Sequence, residues 1–562
     1  MMRSTVSSTL YPNPYPIRDK NKMPVTAKAP WVWTGLWIVV MAAAVLTRPL
    51  MPVDETRYLA VAWEMWFGGD FLVPHLNGET YSHKPPLLFW LINLGWGVFG
   101  VNEWWPRLVA PLFGLASLFL TARLARELWP DHPTVTAIAP LMLFGGLFWA
   151  LFTTLTMFDM MLTAFTLAGL IGTVRAWRHG GWGGFFLLGV GIGFGVLTKG
   201  PAILLHTLPV ALAAPWWGRG VSRIWDGRKG IWYAGVFVAV ILGAGIGLAW
   251  AIPAGIAGGE AYQEAIFWGQ SAGRVVSSFA HRQPWWFYVA VLPVMALPWL
   301  VWPPVWKAAR NFSKVGGSGE MRFCFAWLVP AMVVFSAISG KQPHYLLPEL
   351  PALALIAARL LSLGGDAASI SKRDQIYPGL LAVILGALLV GLNQLPLPSA
   401  PPWLDLVGTG WGGVLVAAGL AVMALGGMSL VGRICGLAAV STVMVVVVHL
   451  AIQPVLATAY DLKPLALKLS QWQRDGVPLA NYSKYHGQYN FLGRLEKPIT
   501  QVGMFHPDTE KYIQAHPDAK IIAYHNVLPT NATPEAVYRY RSRFIAVWDA
   551  AVVARHPDII RR

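Results

Sequence analysis

The chain has 562 residues, of which 55% are hydrophobic, 13% aromatic and only 12% charged, and its mean hydropathy is +0.50. Soluble proteins carry roughly 25% charged residues, so half that fraction over this length excludes a soluble globular enzyme and a disordered chain and leaves a polytopic membrane protein. The net charge of +16, from 43 Lys and Arg against 27 Asp and Glu, is the excess that positive-inside loops and anionic headgroups draw, so no nucleic-acid partner is expected.

Residues 1–30 are polar, Pro-rich and basic, and the apolar run Trp31 to Leu46 follows directly, with no A-x-A-like cleavage site closing it. This reads as a cytoplasmic tail before an uncleaved first span. Further apolar runs lie near 104–126, 133–151, 153–174, 183–197, 201–217, 231–254, 285–306, 323–339, 344–361, 377–395, 409–428 and 434–457, which makes about 13 transmembrane helices in all. An odd number puts the two termini on opposite sides. Basic residues support that sidedness: Arg123 and Arg126, Arg175 and Arg178, and Arg219, Arg223, Arg228 and Lys229 fall in alternate loops, whereas Lys199 and Lys341 each stand alone in loops of the other side. The apolar segment 85–100 is short and flanked by Pro85-Pro86 and Asn102-Glu103, and is read as an interfacial helix. From about Thr458 charge returns and alternating runs appear at Val477–Tyr482, Ile499–Val502, Lys520–Tyr524 and Phe544–Trp548. The expected organisation is a tail (1–30), a membrane domain (31–457) with outer loops 48–103 and 256–284, and a small soluble α/β domain (458–562) outside the membrane. Cys324 and Cys435 sit in or beside apolar segments, which argues against a disulfide framework or a Cys-based metal site.

The unusual ionisable residues gather on one side of this topology. They are Asp54, Glu55 and Arg57 in the first outer loop, followed there by Tyr81, His83 and Lys84; then Asp159, Lys199, Arg274, His281, Lys341, His344 and Tyr345. Ionisable groups at membrane depth are costly unless paired or wet, and are functional candidates by default. Lys and Arg stabilise phosphate oxygens, a carboxylate among them takes a proton, orients an amine or hydroxyl or holds a metal, and tyrosines line a sugar site. A phosphate-bearing lipid would place its headgroup at this depth and its tail between spans. The residues therefore point to an outward-facing enzyme with a lipid-phosphate donor.

Asp54-Glu-Thr-Arg-Tyr, Gly68-Gly-Asp-Phe-Leu-Val-Pro-His-Leu-Asn-Gly and Tyr81-Ser-His-Lys-Pro-Pro-Leu-Leu-Phe-Trp together resemble the bacterial 4-amino-4-deoxy-L-arabinose lipid A transferases. These are GT-C glycosyltransferases related to protein O-mannosyltransferases. Thr198-Lys-Gly-Pro, His281-Arg-Gln-Pro-Trp-Trp-Phe-Tyr and Lys341-Gln-Pro-His-Tyr-Leu-Leu-Pro extend the likeness over nearly the whole chain. The resemblance implies a monomeric inner-membrane enzyme with a periplasmic site. Its donor would be undecaprenyl phosphate carrying aminoarabinose and its acceptor a lipid A phosphate, giving resistance to polymyxin and cationic peptides. It implies an essential acid at Asp54, donor-phosphate contacts from Lys84 and Arg274, a second acid at Asp159, and Tyr81 and Tyr345 near the sugar. His83 stands where that branch often has Glu, so sugar choice stays open.

The mechanism expected is direct displacement at the anomeric carbon with inversion. Asp54 is the first choice for catalysis; its alternative role is an N-cap of a helix starting near Glu55. Glu55 and Arg57 are helpers or a mutual salt bridge, and Asp159 is a second acid or the partner of a Lys. Lys199 follows Gly189, Gly191, Gly193 and Gly195, but Thr198 precedes it and no Ser/Thr follows, so it is no P-loop lysine. The glycines are expected to permit close helix packing, and Lys199 with Arg57 joins the phosphate-binding set. His83, His344, Lys341 and, in the C-terminal run Asn481-Tyr-Ser-Lys-Tyr-His, Tyr482 complete the sugar and acceptor set. No H-x-x-x-H spacing supports a dedicated metal site and no cofactor is expected to be required; a divalent ion held by His281 or His486 stays open. A donor-dependent transferase acting on a protein or another envelope glycan, and an anionic-lipid flippase, are the alternatives. The flippase would call for inverted repeats and mid-membrane acids, whereas no repeat is seen and the polar residues gather at one face.

Overall fold

The computed structural model describes residues 25–222, 224–269, 282–364, 371–394, 403–503 and 509–561. Ten helices among them are long and apolar enough to cross a membrane. The chain opens with α1 (Val25–Thr47), then α2 (Asp54–Gly68), a hairpin of β1 (His75–Leu76) and β2 (Glu79–Thr80), α3 (Leu87–Phe99), α4 (Pro106–Leu128) and α5 (Pro133–Gly145). It continues through α6 (Phe158–His179), α7 (Trp182–Lys199), α8 (Ala202–Leu212) and α9 (Lys229–Gly258). After α9 come α10 (Gly319–Ala337), α11 (Leu350–Ser362), α12 (Ile376–Val390), α13 (Gly412–Ala424) and α14 (Leu430–Ala459).

Three of the thirteen expected spans contain no helix long enough to cross a membrane. Segment 133–151 breaks at Gly146 into α5 and the short helix Leu147–Phe152; segment 201–217 divides at Ala213; and 285–306 divides after Phe287–Met295. Pro209 and Pro293 interrupt the backbone hydrogen-bond ladders of the last two, and Gly146 is extended. The expected span 153–174 starts later, at Phe158, because Thr153 to Met157 form a turn used elsewhere (below). Segment 85–100 is α3, 13 residues or about 20 Å long, short of a bilayer core of about 30 Å. Its Trp96 stacks on Phe491 of the C-terminal domain, with ring centroids 5.2 Å apart.

The glycines of α7 serve packing. A side chain at Gly189 or Gly193 would strike α9 (Ala239 backbone, Ile246), and one at Gly191 or Gly195 would strike Gly169 of α6 or Ile203 of α8. Two stripes, each repeating every four residues, thus let three helices pack closely against α7. At the end away from the first loop, Glu127 binds Arg123 and Arg175 at 2.8 and 2.7 Å and Arg178 faces Glu320.

The C-terminal domain has a five-stranded mixed sheet in the order β4-β3-β5-β7-β6. Its strands are β3 (Leu479–Tyr482), β4 (Thr500–Val502), β5 (Lys520–His525), β6 (Ala536–Tyr540) and β7 (Arg543–Asp549). The four strands expected from alternation are all present; β6 was not anticipated, although Val537 and Arg539 face out and Tyr538 and Tyr540 face in. The domain rests on the first loop through a dense polar seam. The Asn77-Gly78 turn of the hairpin has positive φ at both residues. Asn77 exchanges hydrogen bonds with the Ile499 backbone at 2.8 and 2.9 Å. Glu64 of α2 accepts from the Asn77 and Gly78 N–H groups and from Asn490.

Gly487 closes the seam. Its φ is +69°, and a Cβ there would lie 2.4 Å from Leu76 Cδ1 and 3.2 Å from Ala60. Gly487→Val therefore meets a disfavoured backbone region and an overpacked interface at once, a penalty of about 1–3 kcal/mol from each. The expected result is a C-terminal domain that detaches locally, read as faster hydrogen exchange over 481–503 with unchanged exchange in α6 and α7.

Candidate active site

Segments far apart in sequence meet at the end of the bundle that carries the first loop. They enclose a cavity of about 950 Å³ lined by Arg57, His83, Lys84, Lys199 and Tyr345, together with apolar faces of α7, α8, α9 and α10. The cationic residues lie at helix ends and in loops, so they form one end of the cavity. The apolar wall runs down the bundle: Val240 and Trp250 both line it, ten residues or about 15 Å apart along α9. A polar, positively charged mouth thus continues into an apolar trench between helices.

Asp54 is the first residue of α2. It is not the N-cap: that position is Val53, and no side-chain cap bond is made. The Asp54 carboxylate instead accepts from Arg57 one turn on and is 58% exposed. Arg57 in turn lies over the Tyr58 ring at 5.7 Å and lines the cavity.

Glu55 points the other way and is a correction to the sequence reading. It does not pair with Arg57 and does not reach the cavity. Its carboxylate, 3% exposed, takes two bonds from Arg48 at 2.5 and 3.0 Å. It also accepts from the Met51 and Thr156 N–H groups, each at 2.9 Å, and Arg48 donates further to the Thr154 carbonyl. Burial disfavours the charged carboxylate, but the Arg48 guanidinium and the two N–H groups outweigh it and hold the group below the usual range. Glu55 is a structural clamp between the start of α2 and the turn that leads into Asp159.

Asp159, second residue of α6, is 3% exposed and its Oδ1 lies 2.6 Å from Lys199 Nζ. Of the two roles open to it, the geometry gives the lysine partner. The same ammonium sits 4.7 Å from the Tyr345 ring centre, and Lys84 Nζ lies 5.4 Å from the Phe158 ring. His344 is edge-on to Tyr345 at 5.0 Å and stacks on Phe152. Tyr81 is buried, its ring 5.3 Å from His83.

Two expected contributors lie elsewhere. Lys341 is buried and donates to the carbonyls of Gln283 and Ile338 at 2.9 and 2.5 Å, so its ammonium ties a loop and does not line the cavity. Tyr482 packs with the cluster of Val502, Ile513 and Trp548 in the C-terminal domain, because it ends a strand whose neighbouring residues alternate between sheet faces. His486 is half-buried, with Arg57, Lys484 and Asp54 in its electrostatic surroundings; burial and the two cations lower its pKa. Arg274 and His281 lie outside the described residues. Among the described residues no three His, Cys, Asp or Glu side chains gather as a metal-binding group.

Arg48, the Thr154–Thr156 turn and a buried His206–Glu349 pair were not found by sequence reasoning. A lone acid in the apolar run Leu346-Leu347-Pro348-Glu349-Leu350 carried the signal for the last of these.

Residues 83–250 match the family described as dolichyl-phosphate-mannose-protein mannosyltransferase. The chain is 29% identical over 362 residues to undecaprenyl phosphate-alpha-4-amino-4-deoxy-L-arabinose arabinosyl transferase 1 of Pseudomonas fluorescens Pf0-1, covering 61% of this chain and 60% of that protein. It is 33% identical over 326 residues to the corresponding transferase of Pseudomonas paraeruginosa PA7, covering 55% of each. The matched region thus spans 60% or less of the length of these curated relatives. Among solved structures, ArnT from Cupriavidus metallidurans bound to undecaprenyl phosphate superposes with a TM-score of 0.75 at 18% identity, over 93% of this chain and 98% of that one. The two chains share a fold.

Proposed function

We propose, from this chain's similarity to undecaprenyl phosphate-aminoarabinose arabinosyl transferases, that it is a multi-pass membrane glycosyltransferase. In this reading it takes 4-amino-4-deoxy-L-arabinose from undecaprenyl phosphate and passes it to a lipid A phosphate at the periplasmic face of the inner membrane. The observation that carries the reading is the cavity itself. Arg57, Lys84 and Lys199 line one end and an apolar trench continues from it, which suits a phosphate headgroup with a polyprenyl tail.

In the transfer, an oxygen of the acceptor phosphate attacks the anomeric carbon while the bond from that carbon to the donor phosphate oxygen breaks. The electron pair of the broken bond stays with the leaving polyprenyl phosphate, and the anomeric centre inverts. The leaving group goes from a monoanionic diester to a monoester that gains charge. Cations fixed beforehand at the mouth therefore stabilise the transition state more than the ground state. The acceptor oxygen is largely anionic near neutral pH, since a phosphate monoester's second pKa is about 6, and it needs no strong base. Asp54 then orients the acceptor or the donor's amine, and Asp159 holds Lys199 in place. The side chains of the mouth supply the charge neutralisation.

The test is mass spectrometry of lipid A from cells that make the donor but lack their own transferase. Wild type adds one aminoarabinose mass to lipid A. Lys84→Ala lowers that modification about 100-fold or more at equal expression, the usual loss for one preorganised charge contact. Unmodified lipid A from well-expressed wild type, with donor present, would sink the acceptor assignment and turn the search to a protein or another envelope glycan.

A further inference from the structure

Below the cationic mouth the cavity wall contains an ionisable pair that the mechanism above does not use. His206 Nδ1 of α8 lies 2.5 Å from Glu349 Oε1, and each side chain is 1% exposed. His206 itself lines the cavity. Glu349 Oε2 has no hydrogen-bond partner among the described residues, so the imidazole is the polar hold on this acid. A carboxylate placed among apolar helices is costly, and the contact that offsets the cost is a single one.

Glu349 is the last residue of a 3-10 turn, Pro343–Glu349, which carries His344 and Tyr345. The start of the same segment is tied by the Lys341 ammonium to the Ile338 and Gln283 carbonyls. The turn is therefore held by a buried polar tether at each end, with Tyr345 between them. The Tyr345 ring backs the Lys199 ammonium at 4.7 Å. The Phe335 ring lies 5.8 Å from His206 and 5.9 Å from Tyr345, joining the tether to the tyrosine by direct packing. A short turn bound at both ends cannot shift one side chain without shifting the others, so release of Glu349 is felt at Tyr345 and then at Lys199.

We propose that the His206–Glu349 pair is a positioning device for the donor-phosphate end of the cavity: it fixes the Pro343–Glu349 turn so that Tyr345 holds the Lys199 ammonium toward a bound polyprenyl phosphate. The inference rests on the reading of the cavity as a polyprenyl-phosphate site. His206 and Glu349 are positioning residues and touch neither the phosphate nor the reacting carbon.

The experiment is a binding cycle on the full chain in lipid nanodiscs, with undecaprenyl phosphate as the probe and thermophoresis as the readout. Glu349→Ala should raise Kd about tenfold, and Glu349→Gln, which keeps a hydrogen bond to the imidazole, by about threefold or less. In a Tyr345→Ala background, Glu349→Ala should add less than about twofold, because the route to Lys199 is already cut. A wild-type Kd in folded Glu349→Ala would overturn the inference. So would a penalty that persists in full in the Tyr345→Ala background, since that is the behaviour of helix-to-helix glue. Where Glu349→Ala fails to fold, His206→Asn enters the same cycle under the same criteria. Absence of undecaprenyl phosphate binding by the wild type overturns the functional reading and this inference together; binding by the wild type with an indifferent Glu349 overturns the inference alone.

Discussion

Asp54→Asn gives a folded protein of wild-type stability whose transfer activity is lower by about 100-fold or more. The side chain is 58% exposed, caps no helix, and its partner is Arg57 one turn away. Exposed i,i+3 ion pairs contribute a few tenths of a kcal/mol, and surface substitutions usually fall within about ±0.5 kcal/mol, so folding is indifferent to the change. The activity is not. Asn keeps the shape and one acceptor oxygen but removes the negative charge paired with Arg57 of the mouth, and with it the group proposed to orient an amine or an acceptor there. Thermal unfolding and a transfer assay on the same preparation check both halves. An active Asp54→Asn would remove this residue from the chemistry.

Glu55→Ala, one residue along, has the opposite signature: the protein is lost before its activity can be measured. The substitution leaves Arg48 buried without its carboxylate and takes the acceptor from two backbone N–H groups. Breaking a buried pair by removing one partner costs about 3–5 kcal/mol, a large part of the 5–15 kcal/mol typical of a folded domain. Glu55→Gln, which retains the volume and one acceptor, should be intermediate and show a melting temperature clearly below that of Asp54→Asn. The pH dependence follows from the lowered pKa of the carboxyl. Because the folded value lies below the unfolded one, near 4.5, the contribution is complete above that pH and is lost as pH falls through the folded value. Wild-type stability in Glu55→Gln would contradict the clamp.

The adjacency of these two acids explains how far the site could be read from the sequence. Asp54-Glu55-Thr56-Arg57 announces a charged cluster in an outer loop, and the cluster is there. Which acid pairs with the cavity-lining Arg57 depends on the turn between α1 and α2 and on a second turn about 100 residues away, at Thr154–Thr156, that binds one carboxylate and leaves the other exposed. Lys341 illustrates the same limit. A lysine beside an apolar span looks like a phosphate ligand until its neighbours are known; here its ammonium donates hydrogen bonds to the Gln283 and Ile338 carbonyls. Tyr482 was assigned by proximity in sequence to the membrane, and strand geometry packs it against the core of the C-terminal domain.

What the sequence determined by itself was whatever depends on composition and local period. The low charge fraction and long apolar runs made a multi-span helical membrane protein unavoidable, since backbone groups in lipid must bond within their own helix. The return of charge and alternation after Thr458 located the mixed sheet, and the spacing of Gly189, Gly191, Gly193 and Gly195 marked α7 as a packing hub. Tertiary structure alone decided which charges meet. It paired Asp159 with Lys199, Glu55 with Arg48 and His206 with Glu349, each across 7 to 143 residues. It also broke three expected spans into shorter helices. Such pairings follow from how helices of similar hydropathy cross, and from the high cost of a buried charge without a partner. Neither quantity is carried by a stretch of sequence read on its own.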